Sequence, residues 1–141
     1  MKIDKKRGFT LVELMIVIAV MGIMAVIAAP NFVTYLANQR LKGAARMVMS
    51  DLMAARQKAV TQNVNITVTF TSNHQYTITN DASTRDIQQD YSDVTFTSSG
   101  AAIFYPRGNA TGTTVTLTSS RTGSQKFVRV ALNGRVKIDD T

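Results

Sequence analysis

The chain has 141 residues, a formal net charge of +7 and no cysteine. That length holds one compact domain and little more, which excludes a two-domain enzyme, and without thiols there is neither a disulfide framework nor a thiolate metal site. The single histidine, His74, cannot build a metal cluster, and the 45% hydrophobic content is crowded towards the amino terminus.

Residues 1–8 carry Lys2, Lys5, Lys6 and Arg7 against Asp4 alone, so the remainder has only a mild basic excess. Residues 9–29, FTLVELMIVIAVMGIMAVIAA, contain just two polar or charged members, Thr10 and Glu13. As a helix this stretch is about 31 Å long, close to the ~30 Å hydrocarbon thickness of a bilayer, and it is predicted to span a membrane. A buried core helix and a secretory signal peptide are the competing readings. The apolar run is longer than the roughly 7–15 residues usual for a signal peptide, although Ala28, Ala29 and Pro30 imitate a cleavage site. The basic flank holds the amino terminus in the cytoplasm and sends residues after Pro30 outward.

Glu13 makes this segment more than a generic anchor. An acidic side chain inside a span costs about 2.5–3.5 kcal/mol by insertion scales and persists when it has a partner. No cationic side chain lies within residues 9–29. Cleavage between Gly8 and Phe9 would create an amine one helical turn from Glu13, within reach of the same chain or of a neighbouring copy.

After Pro30 the helical period continues but becomes amphipathic. Leu41, Ala44, Ala45, Val48, Leu52, Ala55 and Ala59 recur at three- and four-residue steps, while Lys42, Arg46 and Lys58 lie off that stripe, which predicts a helix with one buried face over residues 31–61. From Asn63 the composition turns to Thr, Ser, Val, Ile and Phe with period-two alternation, the strand signal. Ile66, Val68 and Phe70 share one face, followed by Tyr76 and Ile78, a polar loop over residues 81–92, and strands at Val94 with Phe96 and at Ile103 to Tyr105. Residues 106–109 turn into Val115 and Leu117; Thr122 and Gly123 turn into Phe127, Val128, Val130 and Leu132. Asn133 and Gly134 predict a type I′ hairpin turn into Val136 and Ile138. One long helix followed by about seven short antiparallel strands is an α+β architecture with helix packed on sheet.

The segment KKRGFTLVELMIVIAVMGIMAVIAAP resembles the class III signal of type IV prepilins and pseudopilins. That resemblance implies cleavage between Gly8 and Phe9 by a prepilin peptidase, N-methylation of Phe9, and filament assembly through Glu13, which pairs with the amine of an adjoining subunit. IFYPRG over residues 103–108 and VRVALNGRVKI over residues 128–138 are similar to carboxy-terminal patterns of the GspH/FimT family of minor pilins and minor pseudopilins. The pilin-like fold is thereby implied, with residues 1–8 as leader, 9–29 as transmembrane and filament-core helix, and 30–141 as a periplasmic or extracellular globular domain. The resemblance also implies other pilin or pseudopilin subunits and inner membrane lipid as partners, first in the inner membrane and then in a surface pilus or periplasmic pseudopilus.

Catalytic chemistry has no constellation to rest on. His74 sits among the turn residues Ser72 and Asn73, the glycines at 100, 108 and 112 lack a following helix for a phosphate cradle, and no cofactor or metal site is predicted. The final hairpin is the remaining candidate. Arg135 and Lys137 lie two apart and share a strand face, and Arg129 and Lys126 are expected to extend the positive surface towards a polyanion such as DNA. The segment GRVK resembles the GRxR motif by which some FimT-like minor pilins bind DNA, with lysine in place of the second arginine and the loss of bidentate phosphate geometry.

Overall fold

A computed structural model describes residues 9–79 and 84–140, with residues 28–30 described as backbone alone. One α-helix, α1, runs from Leu11–Gln62. Thr10 starts it: its side-chain oxygen accepts from the Glu13 N–H at 3.2 Å, and its carbonyl accepts from the Leu14 N–H at 3.2 Å. Thr10 and Glu13 thus stand at the Ser/Thr-x-x-Glu spacing of a capping box. At the other end Asn63 takes a left-handed conformation (φ 54°) and the Val64 N–H reaches back to the Ala59 carbonyl, a Schellman closure in which asparagine replaces the usual glycine.

The chain divides into two compact units, residues up to Tyr35 and residues from Leu36. In the first, the large apolar side chains are exposed, from 43% at Val17 to 80% at Phe9. In the second, the predicted stripe is the core: Leu41, Ala44, Ala45, Val48, Leu52, Ala55 and Ala59 are each 0–1% exposed. Alanine at four of these positions brings the helix close to the sheets.

Among the described residues eight strands follow: β1 (Ile66–Phe70), β2 (Gln75–Ile78), β3 (Thr84–Asp86), β4 (Val94–Ser98), β5 (Ala102–Phe104), β6 (Thr113–Ser119), β7 (Gln125–Val130) and β8 (Val136–Asp139). They form two antiparallel four-stranded sheets, β3-β2-β1-β5 and β4-β6-β7-β8, so the chain leaves the first sheet for β4, returns for β5 and leaves again for β6. The expectation of about seven strands missed β3. Its stretch was expected to be loop, and residues 81–83 of that stretch lie outside the described residues; Thr84–Asp86 pairs with β2 through backbone bonds while all three side chains are polar or charged, so no alternation betrays it. The sheets share one core with α1. Phe70 and Tyr76 of the first sheet meet Phe96 of the second at ring-centroid distances of 5.4 and 6.0 Å.

Polar contacts also tie α1 to the sheets. The Tyr76 hydroxyl donates to Asp51 Oδ2 at 2.6 Å, and burial together with that carboxylate pushes the phenol far above its usual pKa, so it remains a donor. Asp93, whose side chain is only 5% exposed, lies between Arg40 at 3.6 Å and Arg121 at 3.3 Å, joining α1, the entry to β4 and the β6–β7 turn.

Candidate functional site

The sequence points to two places, the amino-terminal segment and the final hairpin, and each is built differently. Gly8 and the leader lie outside the described residues. Phe9 and Glu13 are exposed, and Glu13 sits in the first turn of α1, where unpaired N–H groups and the helix dipole favour a carboxylate. Around and beyond it, Leu11, Val12, Leu14, Met15 and Ile16 are all at least 57% exposed. This is an anion at the head of an apolar surface that its own unit leaves uncovered. Among the described residues no single helix is long and apolar enough to cross a membrane, whereas Leu11–Ile27 and Asn31–Gln62 taken together pass by length and composition.

The hairpin departs from the sequence reading in two respects. Gly134 alone has positive φ (75°); its N–H bonds to the Ala131 carbonyl at 2.8 Å and the Ala131 N–H to the Arg135 carbonyl at 2.9 Å. The loop is therefore Leu132, Asn133 and Gly134 in a turn with a glycine bulge, not a two-residue type I′ turn. Leu132, expected in the strand, is 74% exposed at its tip. The second departure concerns Lys126. Strand alternation places it with buried Val128 and Val130, on the face opposite Arg129, so it does not extend the outer positive surface. It turns instead towards Lys42 and Arg46 of α1 and pairs with Asp140.

Arg129, Arg135 and Lys137 do share the outer face, with Arg129 and Lys137 directly opposite each other across the ladder. Asp139 is placed among them: Arg129 reaches it at 3.1 Å and Lys137 at 3.0 Å, while Arg129 also lies 5.8 Å from the Phe127 ring centre. Two of the three charges are thus partly neutralised, a carboxylate that the spacing of basic residues could not reveal.

A further residue, Arg56, had no signal in the sequence. From α1 its Nε donates to the Gly108 carbonyl at 2.9 Å. The loop at residues 105–109 repeats the hydrogen bonds of the hairpin loop, Gly108 N–H to Tyr105 carbonyl at 2.8 Å and Tyr105 N–H to Asn109 carbonyl at 2.9 Å, and Gly108 is likewise at positive φ (83°). The two loops touch through their glycines. A Cβ on Gly134 would lie 1.9 Å from the Gly108 oxygen and 2.8 Å from Arg56 Nε. The motifs IFYPRG and VRVALNGRVKI are therefore halves of one junction closed by Arg56.

The family described as Type II transport protein GspH matches residues 44–134, and the Prokaryotic N-terminal methylation motif matches residues 3–29. The Type IV major pilin protein PilA of Myxococcus xanthus (strain DK1622) is 56% identical over 36 residues, 26% of this chain and 16% of that protein. A Fimbrial protein of Pseudomonas aeruginosa is 41% identical over 61 residues, 43% of this chain and 39% of that protein. The chain thus spans well under half the length of these curated relatives. In fold it is similar to the type IV minor pilin FimU of Pseudomonas aeruginosa (strain PAO1), with TM-score 0.60, 16% identity, and 72% of this chain and 90% of that one covered. The minor pseudopilin EpsH of the Type 2 Secretion System of Vibrio cholerae gives TM-score 0.56, 14% identity, and 72% and 97% coverage. With the family match extending over well more than half of its residues, and the methylation motif ahead of it, the chain belongs to the Type II transport protein GspH family of pilin-like structural subunits.

Proposed function

We propose that the chain is a minor pilin or minor pseudopilin that primes or caps a type IV pilus or a type II secretion pseudopilus. In this reading residues 1–8 are a leader removed by a prepilin peptidase between Gly8 and Phe9, and Phe9 is then N-methylated. Residues 9–29 hold the chain in inner membrane lipid with the amino terminus cytoplasmic and later form the filament core; residues 30–141 are the globular domain on the far side. The supporting observation is Glu13, a carboxylate at the head of a helix whose large apolar side chains through Ile27 are exposed, in a segment without a cation of its own. A new Phe9 amine on an adjoining subunit supplies the charge that Glu13 requires in lipid. The test is Glu13→Gln, which keeps the side-chain shape and hydrogen-bonding capacity but removes the charge. The variant is expected to be inserted and processed, with mass spectrometry giving a chain that begins at Phe9, while its recovery in sheared or purified filaments falls by about tenfold or more. Normal incorporation, or a mature chain beginning elsewhere, overturns the reading.

The second reading is a minor pilin that binds DNA during uptake. It is favoured by one observation, the common outer face of Arg129, Arg135 and Lys137, and opposed by Asp139 between them. It predicts binding that weakens steeply with salt and is lost in an Arg135→Ala, Lys137→Ala double variant. Salt-independent binding, or none, removes it.

A further inference from the structure

β8 is the outer strand of its sheet, and among the described residues its second edge pairs with no strand. The Ala131 N–H bonds to the Arg135 carbonyl, so alternation assigns Arg135, Lys137 and Asp139 to the β7 ladder and turns the N–H and C=O groups of Val136 and Ile138 towards the open side. That edge walls two cavities along the same flank of α1. One, of ≈ 580 Å³, lies between Met53, Arg56 and Val60 of the helix and Arg135 and Val136 of the hairpin. The other, of ≈ 450 Å³, lies between Lys42 and Arg46 of the helix and Ile138 to Asp140.

The charges at the two ends are unequal to the carboxylates present. Asp139 is already engaged by Arg129 and Lys137, and Asp140 by Lys126, which together with nearby Lys42 holds the Asp140 carboxyl below its usual pKa. Lys42, Arg46, Arg56 and Arg135 form no ion pair among the described residues. Met53 and Val60, 45% and 46% exposed, give the first cavity an apolar floor beside Arg56, and Arg135, on the outer side of the hairpin, stands at its rim. Arginine over exposed aliphatic surface is a protein-binding composition, and an open strand edge is a template for a further strand.

We propose that this groove docks an extended acidic segment from a neighbouring filament subunit, which adds as a strand to the open edge of β8. Its carboxylates meet Arg56 and Arg135 at one end and Lys42 and Arg46 at the other, and its aliphatic side chains cover Met53 and Val60. From Val136 to Asp140 the edge is about 13 Å long, so a segment of roughly five or six residues occupies it. A nucleic acid could meet the cations but would use neither the backbone edge nor the apolar floor. The partner's identity as a subunit rests on the filament reading above; the groove itself does not.

The test uses the full chain in detergent micelles and a fluorescein-labelled eight-residue peptide with two glutamates at each end and four valines between them, so that each strand face carries both, read by anisotropy. Four controls accompany it: the valine–lysine counterpart, the valine–glutamate peptide N-methylated at the odd-numbered amides, the same peptide N-methylated at the even-numbered ones, and a duplex oligonucleotide as competitor. The acidic peptide is expected to bind, to weaken about tenfold or more on Lys42→Glu with Arg135→Glu, and to lose binding when N-methylated on the amides of its pairing edge. Circular dichroism of the double variant verifies that it is folded. The N-methylated peptide needs no variant at all. No binding by the acidic peptide, equal binding by the lysine peptide or by both N-methylated registers, or displacement by the oligonucleotide alone overturns the proposal. Absent peptide binding with intact Glu13-dependent incorporation sinks the groove and leaves the subunit reading standing; the opposite pair of results does the reverse.

Discussion

The two stretches of α1 are made from one secondary structure and satisfy it in opposite ways. In Leu11–Ile27 the large apolar residues surround the helix and stay exposed, whereas from Ala37 to Ala59 a single stripe vanishes into the core and Met53, off that stripe, stays half-exposed. A helix that is apolar all round has its burial supplied from outside its own domain; one with a single apolar stripe closes against its own sheets. The contrast is therefore thermodynamic: residues from Leu36 onward close a core of their own, and residues before it leave their apolar surface uncovered.

The largest expected effect breaks the self-sufficient region at its loop junction. Gly134→Ala introduces a Cβ at positive φ, costing about 1–2 kcal/mol, and forces it into the Gly108 carbonyl, where backbone meets backbone and neither can swing aside. Separating the loops also disturbs the Arg56 bond to Gly108, and the total destabilisation is expected to be about 4 kcal/mol. Gly108→Ala, whose nearest new contact is Arg56 Nη2 at 3.4 Å, tests the backbone cost alone and is expected to lose about 1–2 kcal/mol. Urea unfolding of the full chain in detergent, followed by circular dichroism, measures both. Equal losses would show that the contact between the loops contributes nothing.

The comparison itself is sharpened by one substitution made twice. Leu52→Ala empties a fully buried site and is expected to cost about 3 kcal/mol. Leu14→Ala, at a residue 58% exposed, is expected to change the unfolding of the isolated chain by less than about 0.5 kcal/mol. Similar losses at the two positions would mean that the first stretch is buried within the chain after all.

Why one half of this was readable and the other was not follows from where the information lies. The stripe Leu41 to Ala59 and the alternation of Ile66, Val68, Val115 and Leu117 report burial directly, so helix, strands and core were legible. The division into two sheets was not, because alternation tells a strand which way its side chains face and nothing about its neighbour. β3 was invisible since its pairing with β2 is carried by backbone groups alone. At the hairpin, Arg135 and Lys137 were legible as a pair, but Lys126 was misassigned by counting basic residues without their parity, and Asp139 was overlooked as an acidic residue inside a basic run. Arg56 lies 52 residues from the carbonyl it holds, and no local pattern connects such a pair.

A smaller break lies at the link between α1 and the first sheet. Tyr76→Phe keeps the ring against Phe70 and Phe96 and removes only the hydroxyl that donates to Asp51, so a loss of about 1 kcal/mol is expected in the same unfolding experiment. No loss would mean that water or Arg85, 4.0 Å away, serves Asp51 equally well.

The smallest effect belongs to Asp86, at the rim of the first sheet. Its carboxylate accepts from the Gln75 side chain at 2.9 Å and from the Gln88 N–H at 2.8 Å, and His74 stands 3.9 Å away; these contacts, the Gln75 bond foremost, hold its pKa below the ordinary 3.8. A carboxyl lowered in the folded state contributes stability that is complete above its ordinary pKa and is lost as pH falls through the lowered folded value. The β2–β3 edge and the short 3-10 turn at Ile87–Gln89, which Asp86 caps, are therefore expected to loosen only below about pH 4, while α1 and the second sheet are unchanged. An NMR titration following the Gln88 amide against that of Val128 measures this. Parallel shifts of the two amides, or a Gln88 transition centred above pH 4, would show that the contacts at Asp86 do not favour its ionised form.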